Sequence, residues 1–121
     1  MMTIKQIPKK LIWERYAASW SAATQQARQK LFAQALDLNC QYSDPLNMTH
    51  GWDELNAVMQ AFNDSMPGVF FQTTRFMTHQ QCSVATWEMQ DAHNRVLSDG
   101  ISYAEYNACL LYTSPSPRDR G

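Results

Sequence analysis

The sequence has no apolar run close to the ~20 residues that a membrane-spanning helix requires, so we expect no membrane span. Its opening residues, MMTIKQIPKK, carry positive charges with no apolar stretch behind them, which is not the pattern of a secretory signal peptide. It also lacks an excess of either charge, since 10 basic and 11 acidic residues give a formal net charge of −1. Because the basic residues are scattered, we expect no nucleic-acid partner.

Cysteine is scarce as well. Cys40, Cys82 and Cys109 lie far apart in the sequence and have no metal-ligand spacing. The simplest interpretation is reduced thiols in a cytoplasmic protein, each packed as a small hydrophobic side chain. The sequence also contains no His-x-His or His-Glu-x-x-His pattern and no glycine-rich phosphate loop. We therefore expect neither a metal site nor a cofactor.

Helical periodicity marks the first half of the chain. A first helix is predicted to begin near Pro8, a residue that suits the first helical turn, and its apolar stripe holds Trp13, Tyr16, Ala17 and Trp20. Thr24 can cap a second helix, whose apolar face is predicted to hold Ala27, Leu31, Ala35 and Leu36. A third helix is predicted after His50, with an apolar stripe of Trp52, Leu55, Met59 and Phe62.

A period of two marks the strands. The stretch LNCQYSDP predicts a half-buried strand with Leu38, Cys40 and Tyr42 on one face, ended by the Asp-Pro pair. Farther along, VFFQTTRFMT, QCSVATWEMQ and RVLSDGISYAEYN predict three strands that pair as sequential antiparallel hairpins. Gly100, inside the last of them, suggests a bulge or a close approach of another group. This order predicts an α+β domain with N-terminal helices packed on one face of a bent antiparallel sheet.

Several motifs resemble one family. They are YSDP after two helices, HGWDEL at the start of the third, FNDSMPGVFF between helix and sheet, and WEMQDAHNRVLSDGISYAEYN in the paired strands. Together they resemble the nuclear transport factor 2-like superfamily, in its SnoaL-like, ketosteroid isomerase-like branch, over Ile12 to Asn107. The resemblance implies a cone-shaped curved sheet around a hydrophobic pocket, and a homodimer when the chain is full length. Superfamily members include isomerases, polyketide cyclases, dehydratases and plain ligand binders, so the fold does not decide the reaction.

The chain ends in CLLYTSPSPRDRG, which does not continue the apolar patterning. One codon reading of Cys109 to Asp119 resembles the transposase end and read primer of a sequencing-library adapter; the alternative is a natural proline-rich disordered tail. We expect residues 1–108 to form an incomplete SnoaL-like domain whose last strand is missing. Residues 109–121 are expected to be an artefactual, disordered tail with at most a short strand pairing near Leu110, Leu111 and Tyr112.

Asp44 is the first candidate catalytic residue. It has the same strand parity as Cys40 and Tyr42, so its carboxylate can point into the cone, where partial desolvation would make it a usable base. Its Asp-Pro pair resembles the ketosteroid isomerase motif in which the Asp moves a proton next to a carbonyl. The alternative is that Asp44 ends a strand and accepts a backbone hydrogen bond in a turn.

Tyr16 is the second candidate. The ERY stretch resembles the isomerase helix that carries an oxyanion-hole tyrosine, whose phenol would stabilise a developing enolate. The alternative is a core tyrosine with a hydroxyl partner at the rim. The resemblance also places Ser102 where the isomerase has a protonated Asp. Because Ser is a weaker donor, steroid isomerase activity is doubtful, while other proton-transfer chemistry stays open.

The remaining pocket residues are expected to be mostly aromatic: Trp13, Trp20, Tyr42, Trp52, Phe62, Phe71 and Trp87, together with Ser102. The predicted ligand is a small apolar molecule with a carbonyl group. The predicted function is that of a proton-transfer enzyme without cofactor, an isomerase, cyclase-type lyase or dehydratase, with Asp44 as base and Tyr16 as electrophilic helper. The alternative is a non-catalytic ligand-binding or dimerisation module.

Overall fold

This computed structural model describes residues 8–107 and the backbone of residues 111–115. In chain order the elements are α1 (Lys9–Ser19), α2 (Gln25–Ala35), β1 (Leu36–Ser43), β2 (Met48–His50), α3 (Gly51–Ser65), β3 (Phe70–His79), β4 (Cys82–Gln90), β5 (Val96–Tyr106) and β6 (Leu111–Pro115). The strands form one six-stranded sheet in the order β2-β1-β6-β5-β4-β3. The fold is α+β, as predicted, with a sequential antiparallel β3–β4–β5 meander. In the described part of the chain, no helix has the length and hydropathy to cross a membrane.

The first two helices follow their predicted start signals. The apolar stripe of α1 is buried, with Trp13 and Tyr16 at 3% and 4% exposure. Thr24 caps α2, since its Oγ1 accepts a hydrogen bond from the backbone N–H of Ala27 at 3.0 Å. The apolar face predicted for α2 is partly wrong, however. Ala35 is fully buried, but the buried face centres on Arg28 and Phe32, while Ala27 and Leu31 are only half-buried.

Arg28 explains why the buried face of α2 differs from the predicted one. Its guanidinium is buried and donates to the Ser19 carbonyl (3.3 Å), Asn56 Oδ1 (2.8 Å), Gln60 Oε1 (3.2 Å) and Asn63 Oδ1 (2.5 Å). A buried charge is tolerated where its hydrogen bonds are satisfied. The acceptors come from the end of α1 and from α3, so Arg28 joins the three helices. An apolar-period argument could not find this position because the buried residue is a cation.

The predicted alternation of β1 holds at Cys40 but fails at Leu38. Cys40 is 2% exposed, whereas Leu38 is 69% exposed. The register between β1 and β6 shifts between Leu36 and Gln41, which marks an irregularity in this part of the strand. Such an irregularity changes the face to which a side chain points. It explains why Leu38 faces outward although its parity predicted burial. The three-residue strand β2, which pairs with the end of β1, was not predicted.

Gly100 marks a close approach of another side chain to β5. Trp87 on β4 is its cross-strand partner. A Cβ atom placed on Gly100 would lie 2.4 Å from the Trp87 ring atoms Cζ2 and Cη2. Of the two alternatives that the sequence offered for this glycine, the structure therefore shows the close approach. The indole of Trp87 lies directly against the backbone of β5.

The C-terminal strand β6 extends further than the short pairing expected near Leu110, Leu111 and Tyr112. Leu111–Pro115 lies between β1 and β5, parallel to β1 and antiparallel to β5. The pairing with β1 was not predicted, while the loss of the natural last strand stays a prediction. Without β6, β1 and β5 would each present unpaired backbone groups, and such edges attract any extended segment. The pairing with β5 is short, as expected, and involves Glu105 and Tyr106.

The rest of the predicted tail, residues 109–110 and 116–121, lies outside the described residues. The adapter origin of the segment and the 1–108 domain boundary stay predictions. Both predictions depend on how the codons of the segment are read, and the backbone pairing of β6 does not test that reading.

Candidate functional site

A cavity of about 490 Å³ lies between the helices and the inner face of the sheet. We call inner the sheet face that carries Trp87 and Ser102. All but one of the predicted site residues line this cavity: Trp13, Tyr16, Trp20, Tyr42, Asp44, Phe62, Phe71, Trp87 and Ser102. The volume falls within the range of small-molecule sites. The two candidate catalytic residues thus lie on the wall of one space.

Trp52 is the exception, and its prediction as a pocket residue is wrong. Its ring packs against Phe32, with centroids 5.8 Å apart, and its Nε1 donates to the backbone carbonyl of Asp37 at 3.0 Å. Helix α3 therefore has two apolar faces. The face of Trp52, with the buried Leu55, packs in the core, and the face of Phe62 borders the cavity.

Aromatic rings form a continuous wall of the cavity. Trp20 contacts Tyr42, Phe62 and Phe71 at centroid distances of 5.4, 5.7 and 6.0 Å. Phe71 in turn contacts Phe62 at 5.5 Å and Trp87 at 5.1 Å. Tilted, edge-to-face and stacked pairs of this kind stabilise one another beyond their burial alone. The wall is therefore apolar and mutually braced from α1 to β4.

Asp44 makes the turn contacts considered for it and also borders the cavity. It follows β1 in the tight turn to β2, where its Oδ1 accepts from the backbone N–H groups of Leu46 (2.8 Å) and Asn47 (2.7 Å). Its Oδ2 accepts from the hydroxyl of Tyr42 at 2.6 Å. The residue is half-buried and borders the cavity. One oxygen therefore holds the turn, while the other is shared with a hydroxyl group of the cavity wall.

Asp44 is also the one carboxylate among the described lining residues, and that lining contains no Lys, Arg or His. The oxygens of Asp44 accept hydrogen bonds from the turn and from Tyr42. A ligand in this cavity therefore meets one carboxyl group and otherwise side chains that carry no charge.

Tyr16 reaches the cavity from α1. The residue is 4% exposed, and its ring lies 5.3 Å from that of Trp13. The helix positions it because Trp13, Tyr16 and Trp20 are three and four residues apart and so share a face. Its phenol can donate a hydrogen bond to a carbonyl oxygen of a ligand.

Two indole groups on this wall are hydrogen-bonded to hydroxyl groups. Trp13 Nε1 donates to Thr73 Oγ1 at 3.0 Å, and Trp87 Nε1 donates to Ser102 Oγ at 3.0 Å. Both hydroxyl residues line the cavity. Thr73 was not predicted, although it has the same strand parity as Phe71 and could have been found by that rule.

Other lining residues were missed for similar reasons. Val58, Ala61 and Ser65 lie within one helical turn of Phe62 on α3. Leu46 belongs to the turn after Asp44, and its 92% exposure places it at the mouth of the cavity. Helical spacing from Phe62 would have identified Val58 and Ser65, and Ala61 shares a face with those two, whereas no periodic signal marks a turn residue. Among the described residues, no group of three or more His, Cys, Asp or Glu could hold a metal ion.

Comparisons with known proteins place the fold. No family model and no curated protein matches the sequence. A proposed SnoaL-like isomerase from Agrobacterium tumefaciens str. C58 has a similar structure, with a TM-score of 0.81, 21% identity, and 88% of this chain and 93% of that chain covered. A proposed polyketide cyclase from Sinorhizobium meliloti is similar with a TM-score of 0.70 and 8% identity, and the match covers 90% of this chain and 94% of that chain. A proposed ketosteroid isomerase from Kribbella flavida is similar with a TM-score of 0.64 and 13% identity, and the match covers 88% of this chain and 74% of that chain. At these identities the likeness shows the fold alone.

Proposed function

Because the chain has the nuclear transport factor 2-like fold, with an open cavity inside its cone, we propose that it binds a small, largely apolar carbonyl compound and catalyses a proton transfer on it. Such a reaction makes the protein an isomerase or a cyclase-type lyase that needs no cofactor. One observation carries this proposal: Asp44 is a half-buried carboxylate on the wall of a cavity whose lining, in the described residues, has no other charged group.

Each candidate residue has a defined role in this reaction. Oδ2 of Asp44 takes a proton from the carbon next to the carbonyl, and the C–H electron pair becomes the C=C bond of an enolate. Tyr16 donates a hydrogen bond to the carbonyl oxygen, on which the negative charge develops. Return of the proton from Asp44 to a carbon conjugated with the enolate completes an isomerisation. In a cyclisation the enolate carbon bonds to a second carbonyl carbon, the C=O electron pair moves to that oxygen, and the oxygen takes the proton from Asp44.

The comparisons support this reaction class in general terms. Relatives by fold include a proposed SnoaL-like isomerase and a proposed polyketide cyclase. The apolar wall supports an apolar substrate because few lining groups could solvate a highly charged one. We further propose that the protein is cytoplasmic.

A non-catalytic ligand-binding module is the second candidate. It is favoured by the hydrogen bonds that Oδ1 of Asp44 accepts from Leu46 and Asn47, which are those of a carboxylate with a structural role in a turn. In that case the cavity binds its ligand without turnover. The two candidates differ in whether Oδ2 of Asp44 exchanges a proton with the ligand.

We also propose a homodimer that forms through the outer face of the sheet. Met77 and Ile101 lie on this face and are 51% and 36% exposed, and Val84 lies between them on β4. Exposed apolar groups of this kind often mark an interface. Light scattering is expected to give the mass of a dimer, and Ile101→Lys to give that of a monomer. A monomeric parent protein would refute the proposal.

The experiment that tests the proposed function compares Asp44→Asn with Tyr16→Phe. Asn keeps the size and much of the turn-forming ability of Asp but cannot take a proton, so turnover should fall by about 10²–10⁴-fold with little change in stability. Tyr16→Phe removes one donor and should cost no more than about 10²–10³-fold. Turnover is measured with carbonyl substrates, and urea unfolding is measured beside it. Intact turnover together with lost stability in Asp44→Asn would show a purely structural turn residue.

A further inference from the structure

The two indole–hydroxyl pairs of the cavity wall restrict what the hydroxyl groups can offer a ligand. An indole N–H can only donate, so it occupies an acceptor position on the hydroxyl oxygen that it contacts. Thr73 accepts from Trp13, and Ser102 accepts from Trp87, both at 3.0 Å. Each hydroxyl group therefore retains its own hydrogen for donation.

Neither hydroxyl hydrogen has another use within the described residues. Among the described residues, the hydroxyl group of Thr73 makes one hydrogen bond, with the indole of Trp13, and that of Ser102 makes one, with the indole of Trp87. Both side chains line the cavity. Since a hydroxyl hydrogen turns to reach an available acceptor, these two groups can donate to whatever occupies the space.

The indoles are themselves held in place. Trp13 is 3% exposed in the core. Trp87 lies so close to β5 that its ring takes the space of a side chain at Gly100. Rigid partners fix the side from which each hydroxyl oxygen accepts, and this restricts the directions in which its hydrogen can donate. Preorganisation of this kind lowers the entropic cost of binding.

The sheet sets the distance between the two donors. Thr73 pairs with Trp87 across β3 and β4, and Trp87 pairs with Gly100 across β4 and β5. Ser102 lies two residues beyond Gly100 on the same face. Two strand spacings and two residues along a strand give about 12 Å between the Cα atoms of Thr73 and Ser102.

We infer that the wall formed by Thr73 and Ser102 selects an elongated, largely apolar ligand with two acceptor oxygens, one bound to each hydroxyl group. This inference deepens the proposed function and rests on its ligand-binding cavity. It adds a requirement that the proton-transfer residues do not impose, because Asp44 and Tyr16 act at one carbonyl only. Thr73 and Ser102 are thus specificity-determining residues, and Trp13 and Trp87 position them.

The test uses three rigid probes that differ only in their acceptors: biphenyl, biphenyl with an acetyl group at one para end, and biphenyl with an acetyl group at both para ends. Calorimetric titration of the whole chain measures their dissociation constants. Each acetyl oxygen is expected to improve affinity by about 2- to 10-fold, the range for one net hydrogen bond. Equal affinity for the one-acetyl and two-acetyl probes, or no binding of the two-acetyl probe, overturns the inference.

Variants assign the preference to its residues. Thr73→Val and Ser102→Ala should each remove the gain from one acetyl group, while Trp13→Phe should reduce it only in part because the hydroxyl remains. Thr74→Val and Ser98→Ala are the matched controls, since both residues are exposed and lie outside the cavity lining. An unchanged probe preference in both Thr73→Val and Ser102→Ala refutes the inference.

These results are separable from those that concern the reaction. If the two-acetyl probe is preferred and the preference depends on Thr73 and Ser102, the inference holds even when no turnover is found and the proton-transfer proposal fails. If Asp44→Asn abolishes turnover but the probes bind equally, the reaction stands and the two-acceptor requirement is wrong.

Discussion

Arg28 and Asp44 each bring a charge into a largely apolar part of the molecule, and their surroundings differ. The Arg28 guanidinium is 1% exposed, and the described residues provide it with acceptors on α1 and α3. Burial lowers its pKa and the nearby Asp64 carboxylate raises it, but a guanidinium stays protonated in proteins. Arg28 does not line the cavity. Its role is to join three helices.

The Asp44 carboxylate is held by a similar number of partners but borders open space. Its donors come from its own turn and from Tyr42, whose ring also forms part of the cavity wall. Hydrogen-bond satisfaction alone therefore does not distinguish these two charged groups. What distinguishes them is access to a cavity of ligand size.

The largest effect on stability is expected from breaking the Arg28 cluster. Arg28→Met leaves the buried Ser19 carbonyl and the half-buried Asn56 and Asn63 amides without their donor, so the free energy of unfolding should fall by about 3 kcal/mol. Urea unfolding measures it. Arg75→Met, at an exposed position on β3, is the matched control and should change stability by at most about 0.5 kcal/mol. Equal effects of both substitutions would show that the cluster contributes nothing specific.

The next largest effect concerns the cavity wall. Gly100→Ala puts a Cβ atom into the ring of Trp87, so the indole must shift away from β5. Overpacking of this kind costs about 1–3 kcal/mol. The shifted ring should also narrow the cavity and weaken binding of the acetylated biphenyl probes. Thermal unfolding and calorimetry check both effects, with Ser98→Ala on the same strand as control. A fully stable Gly100→Ala protein with unchanged affinity contradicts the close approach.

Alkaline pH should weaken the core. Burial raises the pKa of the Cys40 thiol from 9.0 to about 11, with a contribution from Asp37. Burial also raises the pKa of Tyr106 from 10.0 to about 12, although the hydrogen bond with Ser83 opposes this. A raised folded-state pKa means that the folded state binds the proton more tightly. The stabilising contribution is therefore complete below the unfolded-state pKa and is lost as pH rises, between pH 9 and 11 for Cys40 and between pH 10 and 12 for Tyr106.

We expect this loss to reach about 1–3 kcal/mol per group in urea unfolding measured as a function of pH. Tyr106→Phe should flatten the upper part of the profile, because it removes the titrating phenol. Asp44→Asn should leave the alkaline profile unchanged, since Asp44 belongs to the cavity rather than to the core. Stability that stays constant from pH 8 to 12 would contradict the burial of these groups.

The smallest effect is expected at the mouth of the cavity. Leu46 is 92% exposed, so Leu46→Ala should change the free energy of unfolding by at most about 0.5 kcal/mol. Because Leu46 borders the cavity, the same change should weaken binding of an apolar probe by about 2- to 5-fold. Leu38→Ala is the matched control, since Leu38 is exposed but lies outside the lining. Equal affinities of the two variants would remove Leu46 from the binding surface.

Hydrophobic periodicity predicted most of the fold. It identified three helices, the first strand and the meander, because their burial follows a period of 3.6 or 2. The prediction failed at positions where burial does not follow the apolar period. Arg28 is buried although it is charged, and Leu38 is exposed although its parity predicted burial. The short strand β2 and the pairing of β6 depend on neighbouring edges, which a local pattern does not contain.

The sequence predicted that Asp44 and Tyr16 border one cavity, because one turn and one helix stripe carry them, and their catalytic roles stay predictions. The prediction for Trp52 was wrong since two faces of α3 are apolar and only one borders the cavity. The hydroxyl partners of Trp13 and Trp87 could not be inferred from the sequence. They depend on which residues face each other across strands and between α1 and β3.

Proton transfer by Asp44 is the central claim, and hydrogen–deuterium exchange on a bound ligand tests it most directly. In D₂O, proton NMR follows the loss of the acetyl methyl signal from biphenyl with one acetyl group. The wild-type protein is expected to accelerate this exchange above the buffer rate, and Asp44→Asn is expected to reduce the acceleration by about 10²–10⁴-fold while binding the probe equally well. Exchange at the same rate with wild-type protein and with Asp44→Asn, at saturating and equal occupancy, would contradict the account.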